Sequence, residues 1–154
     1  MRLREAIAAR DLDAIDSALE RGEKPVFGTL TAAATTGDAE IVRRVVDAGA
    51  TPDASTLCKA AECGHVEVIF LLVRRGTAPD TPFSREATTP LMYAAARGHL
   101  ATMEALVSLG ASIRRTDAAG RSALDAARRF GQQDAVAWLE DRLAALAPPP
   151  DPDA

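Results

Sequence analysis

Four side chains could do chemistry by their type: the thiols of Cys58 and Cys63 and the imidazoles of His65 and His99. Cys58, Cys63 and His65 lie close together in sequence, so a zinc site is the first hypothesis to weigh. Such sites need four ligands, and they usually show paired spacings such as two cysteines separated by two residues. Here the ligand set is incomplete, and we predict neither a metal nor any other cofactor.

Catalysis by a nucleophile and a base is the second hypothesis. It needs a nucleophile, a base and an orienting group that meet in one pocket. Both histidines instead follow a glycine at corresponding points of a repeated pattern, one unit apart. The glycines are isolated, so no phosphate-binding loop is present. Carboxylates such as Asp38 and Glu67 lie near predicted helix N-termini, where they favour the helix dipole. We therefore expect no enzymatic activity.

Charge and composition exclude further classes of function. The net charge is −4 and no basic stripe is present, so we expect no nucleic-acid binding. No window approaches the roughly 18 apolar residues of a membrane span, and residues 1–15 lack the apolar run of a signal peptide. Two cysteines do not make a disulfide framework. These features predict a cytoplasmic protein, and 16 arginines against 2 lysines with no asparagine indicate a GC-rich, bacterial genome.

The elements that carry these residues recur along the chain. Glycines at one position of the pattern each follow an alanine-rich segment: Gly37, Gly64, Gly98 and Gly131. Twelve residues after the first three come Gly49, Gly76 and Gly110. The intervening segments have apolar residues at helical spacing, as in Val68, Ile69, Leu72 and Val73. A glycine can close a helix in the left-handed conformation, so each unit is predicted to be helix, turn, helix and loop. Alanine pairs on each first helix let the two helices pack tightly.

The pattern resembles the ankyrin repeat. The segment TPLMYAAARGHLATMEALVSLGAS, residues 89–112, is similar to the family signature TPLHxAAxxGHxxxxxxLLxxGA, and STLCKAAECGHVEVIFLLVRRGT, residues 55–77, matches it nearly as well. The resemblance implies an all-α solenoid of antiparallel helix pairs that forms a single domain over residues 1–147. Its five units cover approximately residues 1–27, 28–54, 55–83, 84–116 and 117–147, and the units at both ends are degenerate caps.

The junctions between units differ in length. The interval from the closing glycine to the next unit's opening position is six residues at Gly22 to Gly28 and at Gly49 to Ser55. The interval is 13 residues from Gly76 to Thr89 and 12 from Gly110 to Ser122. We therefore expect finger loops only at the last two junctions. Phe27, in the first short loop, is predicted to pack between units.

The last unit changes character. Leu143 replaces the closing glycine, so the second helix is predicted to continue to about Leu146, with a polar outer face that caps the stack. Residues 148–154, PPPDPDA, are proline-rich and acidic, and we predict that they are disordered.

The resemblance also implies where a partner would bind. Ankyrin contacts concentrate on the fingers and on the concave face of the first helices, at the two residues before the turn position, which is a glycine in every unit except the first. These pairs change from small and neutral to large and basic along the chain: Ala8 and Ala9, Thr35 and Thr36, Glu62 and Cys63, Ala96 and Arg97, Arg129 and Phe130. The predicted partner-binding residues are Glu62, Cys63, Phe83, Arg85, Glu86, Arg97, Arg114, Arg121, Arg129 and Phe130.

Alternatives stay open for single residues and for the function. Phe83 either contacts a partner or folds back over its junction, and each arginine is either an anchor or a solvated charge. The first hypothesis for the function is a monomeric, non-catalytic module that binds another protein, as a bacterial regulatory, inhibitory or immunity subunit. The alternative is a structural, self-assembling element that acts through its end caps.

Overall fold

The computed structural model describes residues 1–146, so the predicted disordered tail, residues 148–154, lies outside the described residues. Ten helices and no strand are present in the described part of the chain. In order they are α1 (Leu3–Ala9), α2 (Leu12–Glu20), α3 (Thr29–Thr36), α4 (Ala39–Asp47), α5 (Ala54–Cys63), α6 (Val66–Arg74), α7 (Pro90–Arg97), α8 (Leu100–Ser108), α9 (Ala123–Arg129) and α10 (Gln133–Leu146). The predicted all-α solenoid of helix pairs is confirmed.

The helices form two layers. The first helices of the units pack side by side in the order α1, α3, α5, α7, α9, and among the second helices α4, α6, α8 and α10 do the same. We call the outer surface of the first layer the first-helix face. The main helix contacts among residues 1–146 are within a unit or between neighbouring units, as expected of a repeat protein.

Side chains at the ends of the helices explain where they begin. The Asp38 carboxylate accepts hydrogen bonds from the backbone N–H of Glu40 (2.9 Å) and Ile41 (3.3 Å) at the start of α4. Asp53 Oδ1 accepts from the backbone N–H of Thr56 at 2.9 Å and caps α5 in the same way. Such caps satisfy donors that the first helical turn leaves free. These short helices are thus delimited by local sequence.

The core lies between the two layers. It combines the predicted alanine pairs of the first helices with branched residues of the second helices. Ala60, Ala61, Ile69 and Leu72 are completely buried in the third unit, and Ala94, Ala95, Met103 and Leu106 are completely buried in the fourth. The small alanine side chains let the layers approach closely, and the larger residues fill the remaining space.

The junctions have the predicted asymmetry. The first finger (residues 75–89) contains a bridge between Phe83 and Thr88, and the second finger (residues 109–122) contains one between Thr116 and Ser122. The backbone N–H of Ala118 donates to the carbonyl of Glu86 at 2.8 Å, so the two fingers contact each other. The prediction of fingers at the last two junctions is confirmed, although each has one isolated bridge rather than strands.

Phe27 corrects a prediction. Its side chain is 97% exposed and does not pack between the first two units. The carbonyl of Val26 accepts from the N–H of Thr29 at 2.9 Å, and Gly28 has a φ of +80°. This hydrogen bond closes a tight turn, and Phe27 lies exposed at its tip. Spacing along the sequence does not reveal this direction, because it depends on the turn type.

The last helix behaves as predicted and continues to Leu146. Leu139 is buried, whereas Val136 and Trp138 are half-buried against the core. Gln133, Asp134, Glu140 and Asp141 face solvent and give the end of the stack a polar surface. Within residues 1–146, no helix combines the length and the apolar character that crossing a membrane requires.

Candidate functional site

A groove of about 430 Å³ opens on the first-helix face at the C-terminal half of the stack. We call it the α7–α9 groove, after the two helices that form its walls. Its lining residues are Glu62, Thr88, Met92, Tyr93, Ala96, Arg97, Asp117, Arg121, Ser122, Asp125, Ala126, Arg129, Phe130 and Gln132. The groove therefore draws on the last three units and on both fingers.

Helical spacing explains how the walls are formed. On α9 the lining positions after the Ser122 cap are Asp125, Ala126 and Arg129, which share one face of a helix. On α7 they include Tyr93, Ala96 and Arg97, which also share one face of their helix. The small side chains Ala96 and Ala126 leave the groove open.

The apolar part of the groove consists of aromatic and aliphatic surface. Met92 is buried, Tyr93 is half-buried, and Phe130 is 58% exposed at the C-terminal end of α9. Burial raises the pKa of the Tyr93 hydroxyl, so this group remains neutral at physiological pH. An exposed aromatic beside a concave surface is a feature of binding sites.

The three carboxylates of the groove already have donors from this chain. Glu62 accepts from Lys59 Nζ at 2.8 Å and from Arg97 Nη2 at 2.7 Å. Asp117 accepts from the backbone N–H and from Nε of Arg121 at 2.9 and 2.8 Å. The third carboxylate, Asp125, accepts from the backbone N–H and hydroxyl of Ser122.

These bonds lower the pKa of all three carboxyl groups. Lys59 and then Arg97 lower the pKa of Glu62 by hydrogen bonding. The pKa of Asp117 is lowered mainly by the backbone N–H of Arg121, and that of Asp125 mainly by the backbone N–H of Ser122. All three groups are thus ionised at neutral pH.

Arg129 differs from the other charged residues of the groove. Its side chain forms no ion pair or hydrogen bond with any of residues 1–146. Its guanidinium carbon lies 5.6 Å from the centre of the Phe130 ring, within cation–π distance. Among residues 1–146, the groove therefore presents one arginine that donates to no side chain or carbonyl, next to an exposed aromatic ring.

The ion pairs of Glu62 predict a pH dependence of stability. Because the folded-state pKa lies below the unfolded value of about 4.3, the pairs stabilise the fold above that value and stop doing so as pH falls through the folded-state pKa. Glu62→Gln should lower the free energy of unfolding at pH 7 by up to about 1 kcal/mol. The difference from the wild type should be smaller at about pH 3 than at pH 7, because the carboxyl group becomes protonated as the pH falls. Thermal unfolding at both pH values measures this.

Glu104→Gln is the matched control for this prediction. Glu104 is exposed on α8 and has no ion pair with a described residue. The control should behave like the wild type at both pH values. A Glu62→Gln effect of equal size at pH 7 and pH 3 would contradict the assigned role of the ion pairs.

Five of the ten predicted binding residues meet in the groove, namely Glu62, Arg97, Arg121, Arg129 and Phe130. The other five do not line it. Cys63 is half-buried at the end of α5, and Arg114 Nη2 donates to the carbonyl of Leu146 at 3.3 Å, next to α10. Phe83, Arg85 and Glu86 lie in the first finger, where Phe83 is 41% exposed.

Sequence reasoning missed several lining residues, chiefly Tyr93, Asp117 and Asp125. Two of them follow from helical geometry, because Tyr93 and Asp125 lie one turn before Arg97 and Arg129. Their helical spacing from the two predicted arginines could have identified them from the sequence. Asp117 carries no such signal, since the fold of the second finger brings it to the groove.

The histidines connect neighbouring units. His65 Nε2 donates to the carbonyl of Thr35 at 3.1 Å, and His99 Nε2 donates to the carbonyl of Glu62 at 2.9 Å. Gln132 takes the same place in the last unit, where Nε2 donates to the carbonyl of Ala96 at 3.2 Å. The two histidines precede α6 and α8 but do not cap them through their side chains. Their main contact is therefore with the preceding unit rather than with their own helix.

Among the described residues, neither cysteine lies in an arrangement suited to nucleophilic catalysis or metal binding. Cys58 is buried, and burial raises the pKa of its thiol to about 12, so it is a poor nucleophile. Cys63 is a second free thiol. Within residues 1–146, no group of three or more His, Cys, Asp or Glu side chains is placed to hold a metal ion.

One comparison with known proteins relates this geometry to a family. A family model described as ankyrin repeats, in three copies, matches residues 57–145, which is more than half of the chain. The matched segment includes every residue that lines the α7–α9 groove.

Proposed function

We propose, from the premise that this chain belongs to the ankyrin repeat family, that it binds a partner protein through the α7–α9 groove and the two fingers. Ankyrin repeats are generally protein–protein interaction modules. Stacked helix pairs form an extended surface that suits this task, and in this family the first-helix face is the concave one.

The observation that carries the proposal is the pair Arg129 and Phe130 at the end of the groove. Phe130 is 58% exposed, and Arg129 has no ion pair with a described residue. Aromatic and arginine side chains dominate the binding energy of many protein interfaces, because aromatic rings bury a large area and a guanidinium offers five hydrogen-bond donors. Leaving both uncovered has no evident benefit for the stability of the fold.

The role in the cell belongs to the same proposal. The chain acts as a non-catalytic, monomeric regulatory, inhibitory or immunity subunit of a bacterial partner. Two free thiols fit a reducing compartment such as the cytoplasm. Phe83, Arg85 and Glu86 of the first finger, together with Cys63 and Arg114, extend the contact surface beyond the groove.

Capture of a partner from the source cell tests the proposal. The bait is the tagged chain, as wild type, Phe130→Ala and Arg97→Glu, and captured proteins are identified, purified and titrated against each bait. Removing an anchor costs about 2 kcal/mol or more, so each groove variant should bind at least about 10-fold more weakly. Phe27→Ala is the matched control, since Phe27 is even more exposed but lies at the first junction.

If the partner bound the wild type and both groove variants with equal affinity, the proposed binding site would be wrong. The self-assembling alternative makes a different prediction, which sedimentation tests. A stable oligomer that dissociates when the exposed face of α10 is altered would favour the alternative, whereas a monomer supports the proposal.

A further inference from the structure

We infer that the segment of the partner that enters the α7–α9 groove is acidic, with two carboxylates that flank an apolar side chain. This inference rests on the proposed function and adds the chemistry of the bound segment. It follows from which charges in the groove are already paired, and from where the remaining donors lie.

The carboxylates of the groove are already paired, whereas Arg129 has no ion partner among residues 1–146. Glu62, Asp117 and Asp125 are ionised and accept hydrogen bonds from this chain. A cationic partner residue would have to displace those bonds. Arg129 has no ion pair with residues 1–146, so an incoming carboxylate can pair with it at no such cost.

Arg97 and Arg129 both have N–H donors that a partner can use. Arg97 donates from Nη2 to Glu62, and its side chain is still 59% exposed. A guanidinium has five N–H donors, so Arg97 can donate to a second carboxylate without losing Glu62. Arg129 can bind a carboxylate at its edge while its face stays over the Phe130 ring.

The positions of the two arginines limit how far apart the two carboxylates of the partner can be. Arg97 and Arg129 are the last residues of α7 and α9, which are neighbouring first helices. Packed helices lie about 8–10 Å apart. An extended chain advances about 3.3 Å per residue and turns alternate side chains to the same side, so carboxylates about two to four positions apart can reach both arginines.

The groove also has an apolar surface beside the two arginines. Tyr93, Ala96, Ala126 and Phe130 line the groove there and offer apolar and aromatic contacts. An apolar side chain between the two acidic residues would cover this surface. A nucleic acid fits poorly, because three ionised carboxylates lie among the three arginines and no basic stripe is available.

Selection from a random peptide library tests the inference without assuming a sequence. A phage library of 12-residue peptides is selected on the wild-type chain, and enriched peptides are titrated by fluorescence anisotropy. We expect peptides with two acidic residues about two to four positions apart around an apolar residue. Arg129→Glu should weaken them at least 10-fold, and raising the salt concentration should weaken their binding to the wild type.

Arg74→Glu is the matched charge reversal. Arg74 is exposed in the last turn of α6, in the second-helix layer, and has no ion pair with a described residue. It should leave peptide affinity within about twofold of the wild type. A chain ending at Leu146 is a second control, because the removed residues include Asp151 and Asp153. Much tighter binding to the shortened chain would identify the chain's own tail as the occupant and overturn the inference.

Other outcomes separate the two proposals. Peptides without acidic residues that lose affinity with Phe130→Ala but not with Arg129→Glu would overturn the inference and leave the binding function standing. No enriched peptide, peptides insensitive to both variants, or a second copy of the chain in the groove would also overturn it. The proposed function is decided separately, by the capture experiment.

Discussion

Leu72→Ala is expected to lower the free energy of unfolding by about 3 kcal/mol. Leu72 is completely buried in α6, which packs against α4, α5 and α8 at the centre of the stack. Removing its branched side chain forfeits transfer free energy and leaves a cavity that rigid neighbouring helices do not fill. Urea unfolding followed by circular dichroism measures the loss as a lower transition midpoint.

Leu146→Ala is the control for this prediction. Leu146 is 58% exposed at the end of α10, so its truncation should change stability by less than about 0.5 kcal/mol. Neighbouring units share their interfaces, so the slope of the transition also has to be compared between variants. A loss below about 1 kcal/mol for Leu72→Ala would contradict a tightly packed centre of the stack.

Gly37→Ala is expected to cost about 2–3 kcal/mol, which is unusual for a surface turn. Gly37 has a φ of +76°, and an alanine there costs about 1 kcal/mol or more. A Cβ at this position would also lie only 2.6 Å from the His65 ring. The imidazole would have to move and lose its hydrogen bond to the carbonyl of Thr35, at a further cost of about 1 kcal/mol.

Gly131 provides the matched control at the same position of the last unit. Its φ is +67°, but a Cβ added there would meet no atom of residues 1–146 within 4 Å, because none of the described units stacks on this turn. Gly131→Ala should therefore cost only about 1 kcal/mol. In a His65→Ala background, the cost of Gly37→Ala should fall to the same value, as a double-mutant cycle would show. Equal costs for both glycines in the wild-type background would contradict the interunit contact.

Much of the fold was predictable because its signals are local and repeated. Glycine spacing indicated the ends of the helices, and the alanine pairs indicated the contact between the two layers. The junction lengths predicted fingers in the right places. The direction of Phe27 was not predictable in this way, because the turn formed by Val26, Gly28 and Thr29 decides it.

The candidate site was predictable only in part. Arg97, Arg129 and Phe130 were found from their position before the turn, because that position recurs in every unit. The sequence did not predict which of the arginines form ion pairs. Arg121 is held by Asp117 through the fold of the second finger, and Arg97 is held by Glu62 from the neighbouring unit, 35 residues away.

The sequence by itself determined the repeat, its register and the end of each helix, since these depend on interactions within a few residues. Only the tertiary structure decided which side chains form a surface together. Stacking placed α7 beside α9, joined His65 and His99 to the preceding units and left Arg129 without an ion partner among residues 1–146. The physical reason is that pairing and exposure depend on distances between units, which no single segment of the chain contains.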